Sequence, residues 1–151
     1  MDVYLMRHGE AGEAARDADR PLTAKGRAQA ESSARALRAL GAVPPVLWHS
    51  PYRRAVETAG IVADVLGLRG AMIEDERFTP DGSVPAAAMA VLKARQGVLV
   101  VAHMPILPGI VAMLCGSPCT FTTAGVAHLD VTGGAASLAG LYPARTLEHL
   151  R

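Results

Sequence analysis

Val98-Leu99-Val100-Val101-Ala102, introduced by Gly97 and followed at once by His103, is the most strand-like run in the chain. Five apolar residues without polar alternation predict a strand covered on both faces, the habit of parallel sheets flanked by helices. Working outward, a shorter apolar run, Val3 to Met6, ends in Arg7-His8-Gly9, and Val46-Leu47-Trp48 ends close to Ser50-Pro51. Ala71-Met72-Ile73 reads as a weaker third strand. Three strands that each lead into polar, potentially reactive residues form the skeleton of the reading.

The segments between them carry helical patterns. Thr23 is placed to cap a helix with Ala30, Ala34, Leu37 and Leu40 inward, stopped by Gly41 and Pro44-Pro45. Ser50 is expected to cap the next, with Pro51 at its first position and Val56, Ala59, Val62, Ala63 and Leu66 inside, ending at Gly67. Ser83 opens a third helix running to about Arg95, and Ile106 to about Leu114 forms a fourth. Gly125 to Val131 and Ala135 to Leu141, joined at Gly133-Gly134, read as a hairpin at a sheet edge. Alternating strands and helices imply an α/β fold, a three-layer α/β/α sandwich with a mostly parallel central sheet. Its 151 residues fit a single domain, 1–151.

Composition narrows the function. Half the residues are apolar, and 15 Lys and Arg nearly balance 14 Asp and Glu. No global field draws nucleic acid or an anionic membrane, so neither is an expected partner, and an anion site must be local. The opening Met1-Asp2-Val3-Tyr4-Leu5 lacks a secretory signal, and no apolar run approaches the roughly 20 residues of a membrane helix, which predicts a cytoplasmic protein. Cys115 and Cys119 lack the second ligand pair of a structural zinc site and are expected as free thiols.

In parallel α/β sheets ligands collect beyond the carboxyl ends of the strands. That edge receives Arg7-His8-Gly9, Ser50-Pro51-Tyr52-Arg53-Arg54 and His103: two imidazoles and at least two guanidiniums. Guanidinium planes hold phosphate oxygens in pairs, and a helix start adds backbone N–H donors. A neutral imidazole attacks phosphorus in line when its other nitrogen keeps its proton on a fixed acceptor. His8, between an arginine and a glycine, is the expected nucleophile, and His103 the expected donor to the transferring group. His49, His128 and His149 are expected to be structural. No carboxylate cluster suited to Mg²⁺ or Mn²⁺ is evident, so neither a metal nor another cofactor is expected.

These residues resemble the histidine phosphatase superfamily, also called phosphoglycerate mutase-like. Its landmarks stand here in order: Met6-Arg7-His8-Gly9-Glu10; Arg20-Pro21-Leu22-Thr23-Ala24-Lys25-Gly26, with Gln29 following; Ser50-Pro51-Tyr52-Arg53-Arg54-Ala55-Val56-Glu57-Thr58; and Val100-Val101-Ala102-His103-Met104-Pro105. The resemblance implies a transiently phosphorylated His8, with Arg7, Arg54 and His103 on the phosphoryl group, and it selects Arg54 over Arg53. Arg20 resembles a phosphate-pocket residue of the small bacterial phosphohistidine phosphatases of the SixA type. Larger members carry helical insertions and place an acid after the third strand, where Glu76 is the best match here and Asp81 another. A chain without large insertions implies an open site that admits a phosphohistidine projecting from another protein. The alternatives are a broad phosphatase of small phosphoesters, a non-catalytic phosphate-binding module and a metal-dependent phosphatase.

Overall fold

The computed structural model describes residues 1–144. Six strands form one sheet: β1 (Asp2–Arg7), β2 (Val46–His49), β3 (Met72–Glu74), β4 (Val98–Ala102), β5 (Val126–Thr132) and β6 (Ala135–Tyr142), in the order β3-β2-β4-β1-β5-β6. β3, β2, β4 and β1 run parallel, while β5 pairs antiparallel with β1 and β6 with β5. The helices are α1 (Ala24–Ala39), α2 (Arg53–Leu66), α3 (Val84–Leu92) and α4 (Ile106–Cys115).

Strand alternation divides the core into two. Val3, Leu5, Val98, Val100 and Ala102 pack with Ala87, Ala88 and Val91 of α3 and with Ile106, Leu107 and Ile110 of α4. Tyr4, Met6, Leu99 and Val101 pack on the opposite face with Ala34 and Leu37 of α1 and Ala55, Ala59 and Val62 of α2. Every residue of β4 is buried, because both faces of this central strand are covered by helices. This is the three-layer α/β/α arrangement expected, and no large helical insertion interrupts it among the described residues.

Several local expectations need correction. The Thr23 hydroxyl accepts from Gly26 N at 3.0 Å and caps α1 as expected, but Leu40 lies beyond the last turn and is 53% exposed. α2 starts at Arg53 with Tyr52 at its cap position, so Ser50 does not cap it. The third strand is Met72–Glu74, displaced by one residue. The hairpin turns through Gly133 and Gly134, both with positive φ, which glycine adopts without strain, and β6 is the sheet edge. Cys115 and Cys119 are unpaired and partly buried, and burial pushes both thiols up.

Candidate active site

β2, β4 and β1 are neighbours, so the residues that leave their carboxyl ends converge. His8 N still donates to Ala102 O at 3.1 Å, and Ser50 N to Val101 O at 3.1 Å, holding both as extensions of the sheet. The imidazoles of His8 and His103 lie 5.1 Å apart between ring centroids, and both are buried. Arg7, His8, Glu10, Ala11, Arg20, Arg54, His103, Met104 and Thr123 line one open cleft of ≈ 350 Å³.

The protonation pattern of His8 follows from its two partners. Nδ1 lies 2.7 Å from Gly9 O, and a carbonyl only accepts, so the proton sits on Nδ1. Arg54 Nε–H donates across 3.3 Å to Nε2, which therefore carries the lone pair. Burial, and after it the nearby charges of Arg54, Arg7 and Arg20, pushes the His8 pKa down to about 4, outweighing the opposite pull of Gly9 O. Near neutral pH His8 is a neutral imidazole with a bare Nε2. The same causes, burial first and then His8 and Arg54, lower His103 to about 3.

Backbone packing explains the spacing of the motifs. A Cβ on Gly9 would collide with the Gly26 carbonyl, and one on Gly26 would collide with the Glu10 backbone, so the two segments cross with only glycine at the contact. Thr23 Oγ1 donates to Glu10 Oε2 at 2.7 Å, Thr23 N to Glu10 O at 3.0 Å, and Glu10 N to Gln29 Oε1 at 3.0 Å. The Pro21-Leu22-Thr23 segment and the start of α1 thus cradle the loop that carries His8. From the other side, Gly9 N donates to Thr58 Oγ1 at 3.1 Å, and Thr58 Oγ1 donates to Arg54 O at 2.8 Å. Arg54, Thr58 and Val62 recur every four residues on the buried stripe of α2, which brings a guanidinium to the cleft and a hydroxyl beneath the Gly9 backbone.

The remaining cations are also held. Arg7 Nη1 donates to Phe121 O at 2.9 Å, while its buried Nε has no partner among the described residues. Arg20 Nε donates to Gly12 O at 2.8 Å. Ser50 Oγ, the missing cap, lies 2.7 Å from His103 Nε2 and accepts from Tyr52 N at 3.2 Å. His103 Nδ1 is buried without a partner among the described residues.

Of the residues singled out by sequence, the cleft brings together Arg7, His8, Arg20, Arg54 and His103. Arg53 points away and pairs with Glu57 on the exposed side of α2. Glu76 is exposed in a 3-10 turn, Glu76–Phe78, and does not line the cleft; Asp81 is exposed too. His49 is satisfied by Ser50 O, and His128 stacks on Tyr4 and pairs with Asp2; His149 lies outside the described residues. Among the described residues no group of three or more His, Cys, Asp or Glu side chains is gathered to hold a metal ion. Reasoning from sequence missed Asp17. Its carboxylate accepts from Arg54 Nη2 at 3.1 Å and from Arg20 Nη1 at 3.1 Å, and its carbonyl accepts from Arg54 Nη1 at 2.7 Å. Only the Asp-x-x-Arg spacing of Asp17 and Arg20 hinted at it.

A neutral imidazole with a directed lone pair, facing guanidiniums in an open cleft, is the equipment of a phosphoryl-transfer enzyme. Comparison with known proteins supplies the family. The model of the histidine phosphatase superfamily (branch 1) matches residues 3–79. Phosphohistidine phosphatase SixA of Escherichia coli (strain K12) is 36% identical over 143 residues, covering 88% of each chain. The structure of the protein histidine phosphatase SixA complexed with tungstate superposes with a TM-score of 0.91 at 30% identity, over 97% of this chain and 99% of that one. A phosphoserine phosphatase from Entamoeba histolytica, in complex with 3-phosphoglyceric acid, shares the fold with a TM-score of 0.74 at 17% identity, over 97% and 98% of the two chains. This chain belongs to the histidine phosphatase superfamily.

Proposed function

We propose that the protein hydrolyses phosphohistidine on another protein through a phospho-His8 intermediate. The observation that carries this reading is an open cleft into which the loop after β3 delivers no carboxylic acid. A phosphoester must expel an alkoxide, which needs a strong proton donor. A phosphohistidine whose second ring nitrogen is protonated expels a neutral imidazole and needs none. The 36% identity to a phosphohistidine phosphatase supports the same substrate class, and the tungstate complex of a 30% identical relative supports a tetrahedral oxyanion in this fold.

In the first step His8 Nε2 attacks phosphorus in line, its N–P bond forming as the substrate N–P bond breaks. Nδ1–H remains on Gly9 O throughout. Arg7, Arg20, Arg54 and His103 hold the equatorial oxygens, where charge spreads in the transition state. In the second step water attacks the phospho-His8; the Nε2 lone pair returns and inorganic phosphate leaves with the water oxygen and its protons. The cycle is ping-pong.

A turnover comparison between a phosphohistidine-bearing protein and a panel of sugar, nucleotide and serine phosphates tests the substrate. The expected result is a higher kcat/KM for the phosphohistidine protein. Preference for the small esters would overturn the reading in favour of a broad phosphomonoesterase.

A further inference from the structure

We propose that Asp17 is a positioning residue that locks Arg54 and Arg20 into one jaw, turning the Nε edge of Arg54 toward the phosphoryl position above His8. This inference rests on the reading of the cleft as a phosphoryl site. A guanidinium offers five N–H donors in a rigid plane, so fixing any two edges fixes the third. Asp17 takes both terminal nitrogens of Arg54, Nη1 on its carbonyl at 2.7 Å and Nη2 on its carboxylate at 3.1 Å. What remains directed at His8 Nε2 is Nε–H, at 3.3 Å. The second carboxylate oxygen accepts from Arg20 Nη1 at 3.1 Å, so one side chain orients two cations of the cleft.

The loop that presents Asp17 is itself pinned. Gly12 N donates to Pro21 O at 2.7 Å, Ala11 and Leu22 form an antiparallel bridge, and Arg20 N donates to Asp17 O at 3.3 Å in a single 3-10 turn. An exposed ion pair by itself contributes little. Here the partners are unequal: the Arg54 side chain is 6% exposed and that of Asp17 57%. A buried guanidinium without a counter-ion is costly, and Asp17 is the only carboxylate ion-paired with Arg54 among the described residues. Its carboxylate remains ionised, since hydrogen bonding from Arg20 first, and also Arg54, holds its pKa below the usual range. Removing the carboxylate leaves Arg54 held at Nη1 alone by the Asp17 carbonyl, a bond about which the guanidinium can pivot, and it also raises the positive charge of the cleft. Turnover therefore suffers while ground-state affinity for an anion does not.

The test uses the full chain as wild type, Asp17→Ala and Asp17→Asn, with two readouts. The first is the Arg54 Nε–H resonance in a ¹H–¹⁵N spectrum, identified by its absence in Arg54→Lys. It is expected sharp in wild type, lost in Asp17→Ala, and retained but shifted in Asp17→Asn, whose amide oxygen still accepts. The second is turnover of a phosphohistidine protein, corrected for active sites by burst amplitude, beside binding of inorganic phosphate. Asp17→Ala is expected to lower kcat about tenfold while phosphate affinity changes less than about threefold. An unchanged Arg54 resonance, kcat within about twofold of wild type, or a loss of turnover explained by burst amplitude alone would overturn the proposal. If wild type itself turns over no phosphohistidine, the functional reading fails, and the resonance alone decides the role of Asp17.

Discussion

Arg54 Nε donates to His8 Nε2 across 3.3 Å, placing a permanent positive charge against the one ring nitrogen that must stay bare. The contact does two things at once. It disfavours protonation of His8, and it marks the point where phosphoryl oxygens would meet a guanidinium. Arg54→Lys keeps the charge but loses the planar fork. The expected outcome is a fall in kcat of about 10²-fold or more, in the range seen when one preorganised donor is removed from a transition state. Steady-state kinetics checks this, and a loss under about threefold would speak against it.

Glu76 provides a contrasting prediction. Its side chain is exposed and away from the cleft, so Glu76→Gln should leave turnover of a phosphohistidine protein within about twofold of wild type. A drop of tenfold or more would mean that the loop after β3 delivers an acid to the leaving group after all.

How far such features can be read from sequence differs from one to the next. β4 was legible because five apolar residues in a row leave a buried strand little alternative, and the two core faces follow from its alternation. Arg54 was separable from Arg53 only by the motif's register, although the spacing of Arg54, Thr58 and Val62 on the buried stripe carries the same information. Ser50 reads locally as a helix cap, because a serine before proline fits that role. Its hydroxyl is drawn instead to His103, 53 residues away, a partner no local rule sees. Asp17 escaped for the same reason, since its value depends on a loop folding back onto α2.

The depressed pKa values fix a pH dependence. His8 must be neutral to attack, and its pKa is pushed to about 4, so kcat/KM of the free enzyme should stay level from about pH 8 down to about 5 and fall toward pH 4. An inflection near 6.5 in the kcat/KM profile, absent from the substrate's own titration, would contradict the buried neutral state.

The same groups act on stability. In the unfolded chain each histidine takes a proton near pH 6.5, whereas folded His8 and His103 resist protonation down to about 4 and about 3. Above pH 6.5 they add no pH dependence. As pH falls from 6.5 toward 4 the unfolded state binds protons that the folded state does not, and stability declines, on the order of 3 kcal/mol for His8 alone. Urea unfolding at pH 7.5 and pH 4.5 should show the loss, and His8→Asn should reduce it. Equal stability at the two pH values would refute it.

Gly26 should be as intolerant as the residues of the cleft. Gly26→Ala drives a Cβ into the Glu10 backbone, which cannot yield as a flexible side chain would, so destabilisation of about 2 kcal/mol or more is expected together with loss of turnover. Thermal and urea denaturation of the variant measure it. A fully stable Gly26→Ala protein would mean that the two segments do not cross in backbone contact.

The chemistry of the cleft rests on His8 Nε2 accepting the phosphoryl group. Its most direct test is a brief exposure to ³²P-labelled phosphohistidine protein, an alkaline quench and mapping of the label. One acid-labile, alkali-stable phosphate is expected on the peptide containing His8, and none in His8→Ala. Label acquired by His8→Ala at the wild-type rate, or turnover by wild type with no trapped label under single-turnover conditions, would contradict it.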